Sequence, residues 1–277
     1  MDLEHFQNCL RQTGTYRTPE TPVLSRWDRL FGRCDAWFHI KVFRAVASGF
    51  LRARRRGFDA QTWAEYSLRI LRTVEQCGGR VRITGGANLF DVTGPVVFAG
   101  NHMSMLETLL IGSFMNIDRH ATVVVKQSLM TYPLFGKILQ GLAAIPVTRR
   151  NPREDLRQVL SVGTQRLNEG ISVALFPQST RSTGFDPARF NTLAVKLAAR
   201  AGTPVVPVAF KTDFVGIGRL VRDFGPLRRD REIRIGIGAP LRMRADSKQV
   251  QKDLVGFLVE TLAGWGVKIA EKQGEHE

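Results

Sequence analysis

The stretch Val96-Val97-Phe98-Ala99-Gly100-Asn101-His102-Met103-Ser104-Met105-Leu106-Glu107 joins an apolar run to a histidine and, four residues further on, a carboxylate. The apolar run predicts a buried strand, and Gly100 marks the point where that strand opens into a loop. A neutral imidazole is the usual proton acceptor in group transfer near physiological pH. A carboxylate on its other ring nitrogen would fix the tautomer and stabilise the imidazolium. The stretch therefore predicts a general base, His102, oriented by Glu107.

Strand-like and helix-like segments alternate along the rest of the chain. The predicted strands are 81–84, 96–99, 121–125, 142–147, 172–176, 204–210 and 232–237, and the predicted helices lie near 104–115, 153–168, 187–201 and 247–263. This alternation predicts an α/β fold with a mixed, largely parallel sheet flanked by helices. In such sheets ligands bind beyond the carboxyl ends of the strands, where His102 is expected to lie.

The first 78 residues differ in pattern from the rest. Residues 1–22 show no clear periodicity, and we expect them to be irregular. From Ser25, a predicted helix cap, aromatic and aliphatic residues recur at helical spacing up to Gly57, and a second helix runs from about Trp63 to Gly78. Together the two predicted helices carry many arginines. Aromatic residues beside basic ones are typical of a helix in the headgroup region of an anionic bilayer, although such apolar stripes also pack on ordinary domains. We predict an amphipathic, membrane-associating region over residues 1–78 and a main domain over residues 79–277.

Composition limits the partners that the protein can have. The chain has 277 residues, 43% of them hydrophobic, and a formal net charge of +15, which favours an anionic partner. No nucleic-acid module accompanies the arginines at 52–56, so an anionic membrane surface is expected rather than specific nucleic acid. The three cysteines and five histidines are scattered, which indicates neither a disulfide framework nor a metal site. The sequence lacks a signal-peptide pattern and an apolar run of about 18 residues. We expect a peripheral protein on the cytoplasmic side of a membrane.

Three further blocks follow the histidine block. The second ends in Val147-Thr148-Arg149-Arg150, the third is Phe176-Pro177-Gln178-Ser179-Thr180-Arg181, and the fourth is Val205-Val206-Pro207-Val208. A guanidinium such as Arg149 or Arg181 binds phosphate oxygens bidentately, and Lys126 could add a point charge. Arg150 competes with Arg149 for this role, because a shift of one position exchanges them.

The order and spacing of these four blocks, over roughly residues 80–240, resemble the glycerolipid acyltransferases and specifically the 1-acylglycerol-3-phosphate acyltransferases. The resemblance implies that residues 79–277 form an acyltransferase domain. It would transfer a fatty acyl group from acyl-CoA or acyl carrier protein to a lysophospholipid acceptor, lysophosphatidate, and so form phosphatidate without a cofactor or metal. It implies the following site residues: His102 and Glu107 as the catalytic pair, and Lys126, Arg149, Gln178, Ser179, Thr180 and Arg181 as substrate-binding residues.

The chain also departs from the family pattern. Glu107 stands where that pattern has aspartate, Gln178 and Ser179 stand where it has glutamate and glycine, and Thr148 precedes Arg149. Glutamine removes a negative charge near Arg181 and can also donate hydrogen bonds, which could change the acceptor. Glycerol 3-phosphate, another lysophospholipid or an aminolipid are therefore alternative acceptors. A different class of function, a non-catalytic protein that binds anionic membranes or nucleic acid, would leave His102 as an ordinary core histidine.

Overall fold

One sheet flanked by helices forms the centre of the computed structural model, which describes residues 2–178, 180–216, 218, 225–243 and 246–270. The strands are β1 (Tyr16–Arg17), β2 (Val81–Thr84), β3 (Val97–Gly100), β4 (His120–Lys126), β5 (Ile145–Val147), β6 (Ile171–Leu175), β7 (Val205–Lys211) and β8 (Ile233–Ile237). The helices are α1 (Leu3–Thr13), α2 (Arg26–Phe31), α3 (Asp35–Arg56), α4 (Ala60–Gln76), α5 (Leu106–Leu110), α6 (Gly112–Met115), α7 (Phe135–Gly141), α8 (Pro152–Asn168), α9 (Leu193–Ala201) and α10 (Ser247–Gly264).

The strand order of the sheet is β1-β2-β8-β7-β3-β6-β4-β5. Strands β3, β4, β5, β6 and β7 all run in the same direction, while the pairs β1–β2 and β7–β8 are antiparallel. The predicted mixed, largely parallel sheet is thus confirmed. Because five neighbouring strands are parallel, their carboxyl ends meet at one edge of the sheet, which is where an α/β protein places its ligands.

Strand β3 lies in the middle of this sheet, between β6 and β7. Phe98 packs into one hydrophobic core with the N-terminal helices, whereas Val97 and Ala99 pack into a second core on the opposite face. This alternation follows from the two-residue period of a strand. A Cβ atom on Gly100 would come within 2.5 Å of the Val208 carbonyl oxygen, so only glycine fits where the strand meets its neighbour. The strand end is therefore rigid just before His102.

The prediction that residues 1–22 are irregular was wrong. Asp2 caps α1, Gly14 ends it with φ of +66°, and Phe6 and Leu10 lie buried on one face. Tyr16–Arg17 then pair antiparallel with β2. A short helix with two fully buried apolar positions gives a weak periodic signal, which explains the error.

The single helix predicted from Ser25 to Gly57 is two helices in the structure. Ser25 does cap α2, through a reciprocal capping box with Asp28. The helix stops at Gly32, and α3 begins at Asp35. Buried Asp28 fixes this break, since it accepts hydrogen bonds from Trp37 Nε1 at 3.0 Å and Lys41 Nζ at 2.6 Å. Burial alone would raise the pKa of Asp28, but these hydrogen bonds and those from Ser25 outweigh it and lower the pKa to about 2.

Several other predicted boundaries differ from the structure. Residues 142–144 form the turn after α7 rather than part of a strand, with Ala143 at φ of +49°. The helix predicted from 187 begins only at Leu193, after a short 3-10 turn at Pro187–Arg189. Helix α7 was not predicted. The boundary proposed at residue 78 stays a prediction; buried side chains of α1, α3 and α4 share one hydrophobic core with the sheet.

Candidate active site

The carboxyl ends of the five parallel strands bring the four sequence blocks to one edge of the sheet. The following residues lie at or just beyond these ends: His102 after β3, Lys126 at the end of β4, Arg149 after β5, Gln178, Thr180 and Arg181 after β6, and Thr212 after β7. The fourth block, around Pro207, lies within β7 and pairs with β3. The sheet topology thus brings together residues that lie more than 70 positions apart in the sequence.

Two side chains fix the loop that carries His102. The Asn101 amide donates to the Phe210 carbonyl oxygen at 2.8 Å and accepts from the Phe210 amide at 2.7 Å, so it ties the loop to β7. The His102 ring stacks on Phe176, with centroids 4.6 Å apart and an interplanar angle of 22°. The ring is mostly buried, with 11% of the side chain exposed. His102 is thus held against an apolar wall at the end of β3.

Glu107 is fully buried beside His102, with its Oε2 atom 3.4 Å from His102 Nδ1. Its Oε1 atom accepts hydrogen bonds from the backbone amides of Met103 at 2.9 Å and Ser104 at 2.7 Å. These bonds hold the carboxylate in place and stabilise its charge. Within the described residues Nδ1 has no aligned hydrogen-bond partner, so the contact between ring and carboxylate is electrostatic at this distance. The structure brings the predicted pair together.

Thr212 completes this arrangement, and the sequence interpretation did not include it. Its hydroxyl donates a short hydrogen bond to Glu107 Oε1 and lies 2.9 Å from Ser104 Oγ. Thr212 is fully buried. It directly follows β7, which is the neighbour of β3 in the sheet. A hydroxyl residue four positions after the fourth block, just after the predicted strand ends, was the signal that could have identified it.

Gln178 supports the backbone of His102 rather than its ring. The Gln178 side-chain oxygen accepts from the His102 amide at 2.9 Å, and the His102 carbonyl accepts from the Ser182 amide at 2.9 Å. A glutamate in this position would accept the same bond, so glutamine keeps the contact and removes the charge. Thr180 is exposed, and its amide donates to the Gln178 carbonyl at 2.7 Å. Ser179 lies outside the described residues.

Arg149 sits in a strained turn close to Arg181. Its φ of +60° is in the left-handed region, which costs a non-glycine residue about 1 kcal/mol. Asp155 offsets this cost by accepting from the amides of Thr148 and Arg149, both at 2.7 Å. Loss of solvation and the charge of Arg181 lower the pKa of Arg149, while Asp155 opposes them. The charge of Arg181 therefore acts on Arg149, although Arg149 lines a different cavity from the two that Arg181 lines.

The other predicted cations are exposed, as Arg149 itself is. Lys126 is exposed at the end of β4. Arg150 is exposed, and its backbone amide donates to Thr148 Oγ1 at 3.2 Å. The effect of Arg181 on the pKa of Arg149 favours Arg149 over Arg150 as its partner at the site.

Two cavities meet at Arg181, which is half-buried. A polar cleft of about 270 Å³ is lined by Ser104 and Arg228, and an apolar cavity of about 230 Å³ is formed by side chains of α3, α4, α5, α7 and β4. Met105 and Arg181 line both. His102 at the end of β3 thus directly precedes two residues of the cleft lining, Met103 and Ser104, and the cleft shares Met105 and Arg181 with the apolar cavity. This arrangement suits group transfer to an amphiphile with an anionic head.

Features of two other classes of protein are absent from the described residues. In that part of the chain, no helix combines the length and apolarity needed to cross a bilayer. Among the same residues, no three histidine, cysteine or acidic side chains are grouped so that they could hold a metal ion.

Comparisons with known proteins agree with the geometry. Residues 80–211 match the family model described as Acyltransferase. A 1-acyl-sn-glycerol-3-phosphate acyltransferase of Pseudomonas aeruginosa is 31% identical over 173 residues, which is 62% of this chain and 64% of that protein. A lyso-ornithine lipid O-acyltransferase of Rhizobium meliloti is 32% identical over 107 residues, 39% of this chain and 34% of that protein. The matched regions thus span less than two thirds of either relative.

A solved structure supports the fold. The crystal structure of the 1-acyl-sn-glycerophosphate acyltransferase PlsC from Thermotoga maritima superposes with a TM-score of 0.59 at 18% identity, covering 86% of this chain and 96% of that one. At this identity the likeness concerns the fold. Taken with the ordered sequence blocks at one sheet edge, it leads to one conclusion: residues 80–211 form a domain that is similar to the acyltransferase family.

Proposed function

We propose that this protein is a 1-acyl-sn-glycerol-3-phosphate O-acyltransferase, which transfers a fatty acyl group from acyl-CoA or acyl carrier protein to lysophosphatidate and forms phosphatidate. The observation that carries the proposal is the buried Glu107 carboxylate 3.4 Å from His102 Nδ1, at the edge of the cleft lined by Arg181. The name of the P. aeruginosa relative supports the choice of acceptor.

The proposed mechanism is a direct transfer with His102 as the general base. As the acceptor oxygen attacks the thioester carbonyl carbon, its proton moves to His102 Nε2. The Glu107 carboxylate stabilises the imidazolium through Nδ1. When the tetrahedral intermediate collapses, the carbon–sulfur bond breaks and the departing sulfur takes the proton from Nε2. The reaction balances without an acyl-enzyme, and we propose that it uses no resident cofactor or metal.

The acceptor phosphate would bind Arg181 and Arg149. Guanidinium groups bind phosphate bidentately, and the two lie close enough for the charge of Arg181 to act on Arg149. Lys126, Thr180 and Ser179 are proposed to complete the substrate contacts, with Gln178 holding the His102 loop. The apolar cavity next to Arg181 would take an acyl chain, because its lining is formed mainly by side chains such as Val46, Ile138 and Leu142.

We also propose that the protein lies on the cytoplasmic side of an anionic membrane. Large apolar side chains are exposed on α2 and α3 and in the segment before α7: Trp27, Leu30, Phe31, Ile40, Phe43, Leu51, Leu129 and Tyr132. Their grouping on helices rich in arginine suits insertion among lipid headgroups. The apolar cavity is bordered by α3 and α7, so an acyl chain could reach it from this surface.

A panel of acceptors tests the proposed function. The purified protein is given one acyl thioester and, in separate reactions, lysophosphatidate, glycerol 3-phosphate, a neutral lysophospholipid and lyso-ornithine lipid. We expect the highest kcat/KM with lysophosphatidate. Gln178 in place of an acidic residue and the lyso-ornithine lipid relative favour an aminolipid as the second candidate. Acylation of lyso-ornithine lipid without acylation of lysophosphatidate would replace the leading assignment with this one.

Arg181→Ala should raise the KM for lysophosphatidate by about 10- to 100-fold, because a charged hydrogen bond to phosphate contributes roughly 1.5–3 kcal/mol. The KM for the acyl donor should change much less. Steady-state kinetics in mixed micelles provide both values, and Arg150→Ala is the matched control because it removes an exposed arginine next to Arg149. An unchanged acceptor KM in Arg181→Ala would remove this residue from the phosphate site.

A further inference from the structure

A polar groove between α3 and α4 lies apart from the acyl-transfer site. Its volume is about 530 Å³, and four basic side chains line it, namely Lys41, Arg44, Arg69 and Arg72, with Asp28 as the one acidic side chain of its lining. Ala45 on α3 also lines the apolar cavity described above, so the contact between α3 and α4 separates the two spaces. The groove is therefore a separate space from the apolar cavity, with a different and mainly basic set of charged side chains.

The negative charge in the groove is already engaged. Asp28 accepts a hydrogen bond from Lys41 Nζ at 2.6 Å, and the same Nζ atom donates to Gln76 at 2.5 Å. Asp28 is therefore engaged by Lys41, and Arg44, Arg69 and Arg72 give the groove an excess of positive charge. Arg69 stacks on Tyr66, 4.5 Å from the ring centroid, and donates a long hydrogen bond of 3.3 Å to Ser48 Oγ. These contacts orient the guanidinium without neutralising it.

The groove opens beside the exposed apolar surface. Trp27 lines the groove, is 54% exposed and stacks on Phe31 with centroids 6.0 Å apart. On α3, successive residues turn by about 100°, so Arg44 and Ser48 lie between the exposed Ile40 and Phe43 on one side and the buried core positions on the other. A molecule held by the arginines would therefore have its apolar part next to the exposed side chains.

We infer that this groove binds the phosphate-bearing headgroup of an anionic phospholipid of the bilayer. Arg44, Arg69 and Arg72 offer bidentate donors to phosphate oxygens. The neighbouring Trp27 and Phe43 favour a lipid over a soluble phosphate, since a soluble anion gains nothing from apolar neighbours. The inference goes beyond acyl transfer and rests on the proposed function only in placing the protein on a membrane.

The test compares two triple variants of the full chain that lose the same charge. R44Q/R69Q/R72Q alters the groove, and R54Q/R55Q/R56Q alters the exposed end of α3. Binding is measured by co-sedimentation with vesicles of phosphatidylcholine, with and without phosphatidylglycerol. Removing three surface cations weakens binding to anionic vesicles in either case. We expect the groove variant to lose roughly tenfold more affinity than the control, which is the loss of one charge-assisted hydrogen bond, and the difference to vanish without phosphatidylglycerol.

The following outcomes decide whether the groove binds a membrane lipid, a soluble anion or neither. Equal losses in the two variants would overturn the inference, because bulk charge would then suffice. A thermal shift with inorganic phosphate that the groove variant lacks, without a difference on vesicles, would also overturn it in favour of a soluble ligand. The charge of Arg72 acts on buried Glu75, so R44Q/R69Q against R55Q/R56Q repeats the comparison if the triple variant folds poorly. Groove-dependent vesicle binding by a protein that acylates no acceptor would refute the proposed function and uphold this inference.

Discussion

His102→Ala is expected to lower kcat by about 10²- to 10⁴-fold, which is the usual contribution of a positioned general base. The imidazole is the group that would take the acceptor proton, and Glu107 lies 3.4 Å from its Nδ1 atom. Removing the ring also removes its stacking on Phe176, so a modest loss of stability is expected as well. Turnover is measured with lysophosphatidate at saturation, and folding is followed by urea unfolding.

Two further variants separate chemistry from folding. His102→Gln fills part of the same volume but cannot act as a base at neutral pH, so it should be as inactive as His102→Ala. His120→Ala removes an exposed histidine at the start of β4 and should keep full turnover. If both His102 variants retain turnover, His102 is not the general base. If the wild-type protein binds vesicles but acylates no acceptor, it belongs to the class of non-catalytic membrane binders instead.

The sheet and the contact between His102 and Glu107 were predictable because their signals are local. The apolar run before Gly100 was enough to locate β3, and the alternation after residue 80 was enough for a largely parallel sheet. Since parallel strands end at a common edge, the order of the blocks implied that His102 and Arg181 would meet there. These inferences need only the presence and the direction of the strands, which the hydrophobic pattern of the sequence predicts well.

Features that depend on tertiary contacts were missed. The break at Gly32 arises from Asp28, whose partners Trp37 and Lys41 lie on the next helix. Thr212 lies more than 100 residues from Glu107 in sequence, and its position became evident only from the pairing of β7 with β3. Gln178 was interpreted through its charge, whereas its side-chain oxygen is engaged with the His102 amide. Each of these roles depends on a contact between two residues, so the type of one residue alone does not predict it.

Glu107→Gln is expected to reduce kcat on the order of 10³-fold with little change in KM. The glutamine oxygen would occupy the position of Oε1, because Thr212 and the Met103 and Ser104 amides donate there. Its NH₂ group would then replace Oε2, next to His102 Nδ1. An amide donor at Nδ1 favours the tautomer that carries its proton on Nε2. That tautomer has no lone pair on Nε2 for the acceptor proton, so the base is disabled while the fold is kept.

Glu107→Asp is the conservative control for this argument. It keeps the negative charge but withdraws the carboxylate by about one C–C bond, roughly 1.5 Å. We expect turnover within about tenfold of the wild type, since a carboxylate still favours the proton on Nδ1 and still stabilises the imidazolium. The ¹⁵N shifts of the His102 ring should report Nε2 protonation in Glu107→Gln and Nδ1 protonation in the other two proteins. Wild-type turnover in Glu107→Gln would show that the carboxylate does not set the tautomer. Equal inactivity of both variants with an unchanged His102 tautomer would instead assign Glu107 to holding the loop at Met103 and Ser104.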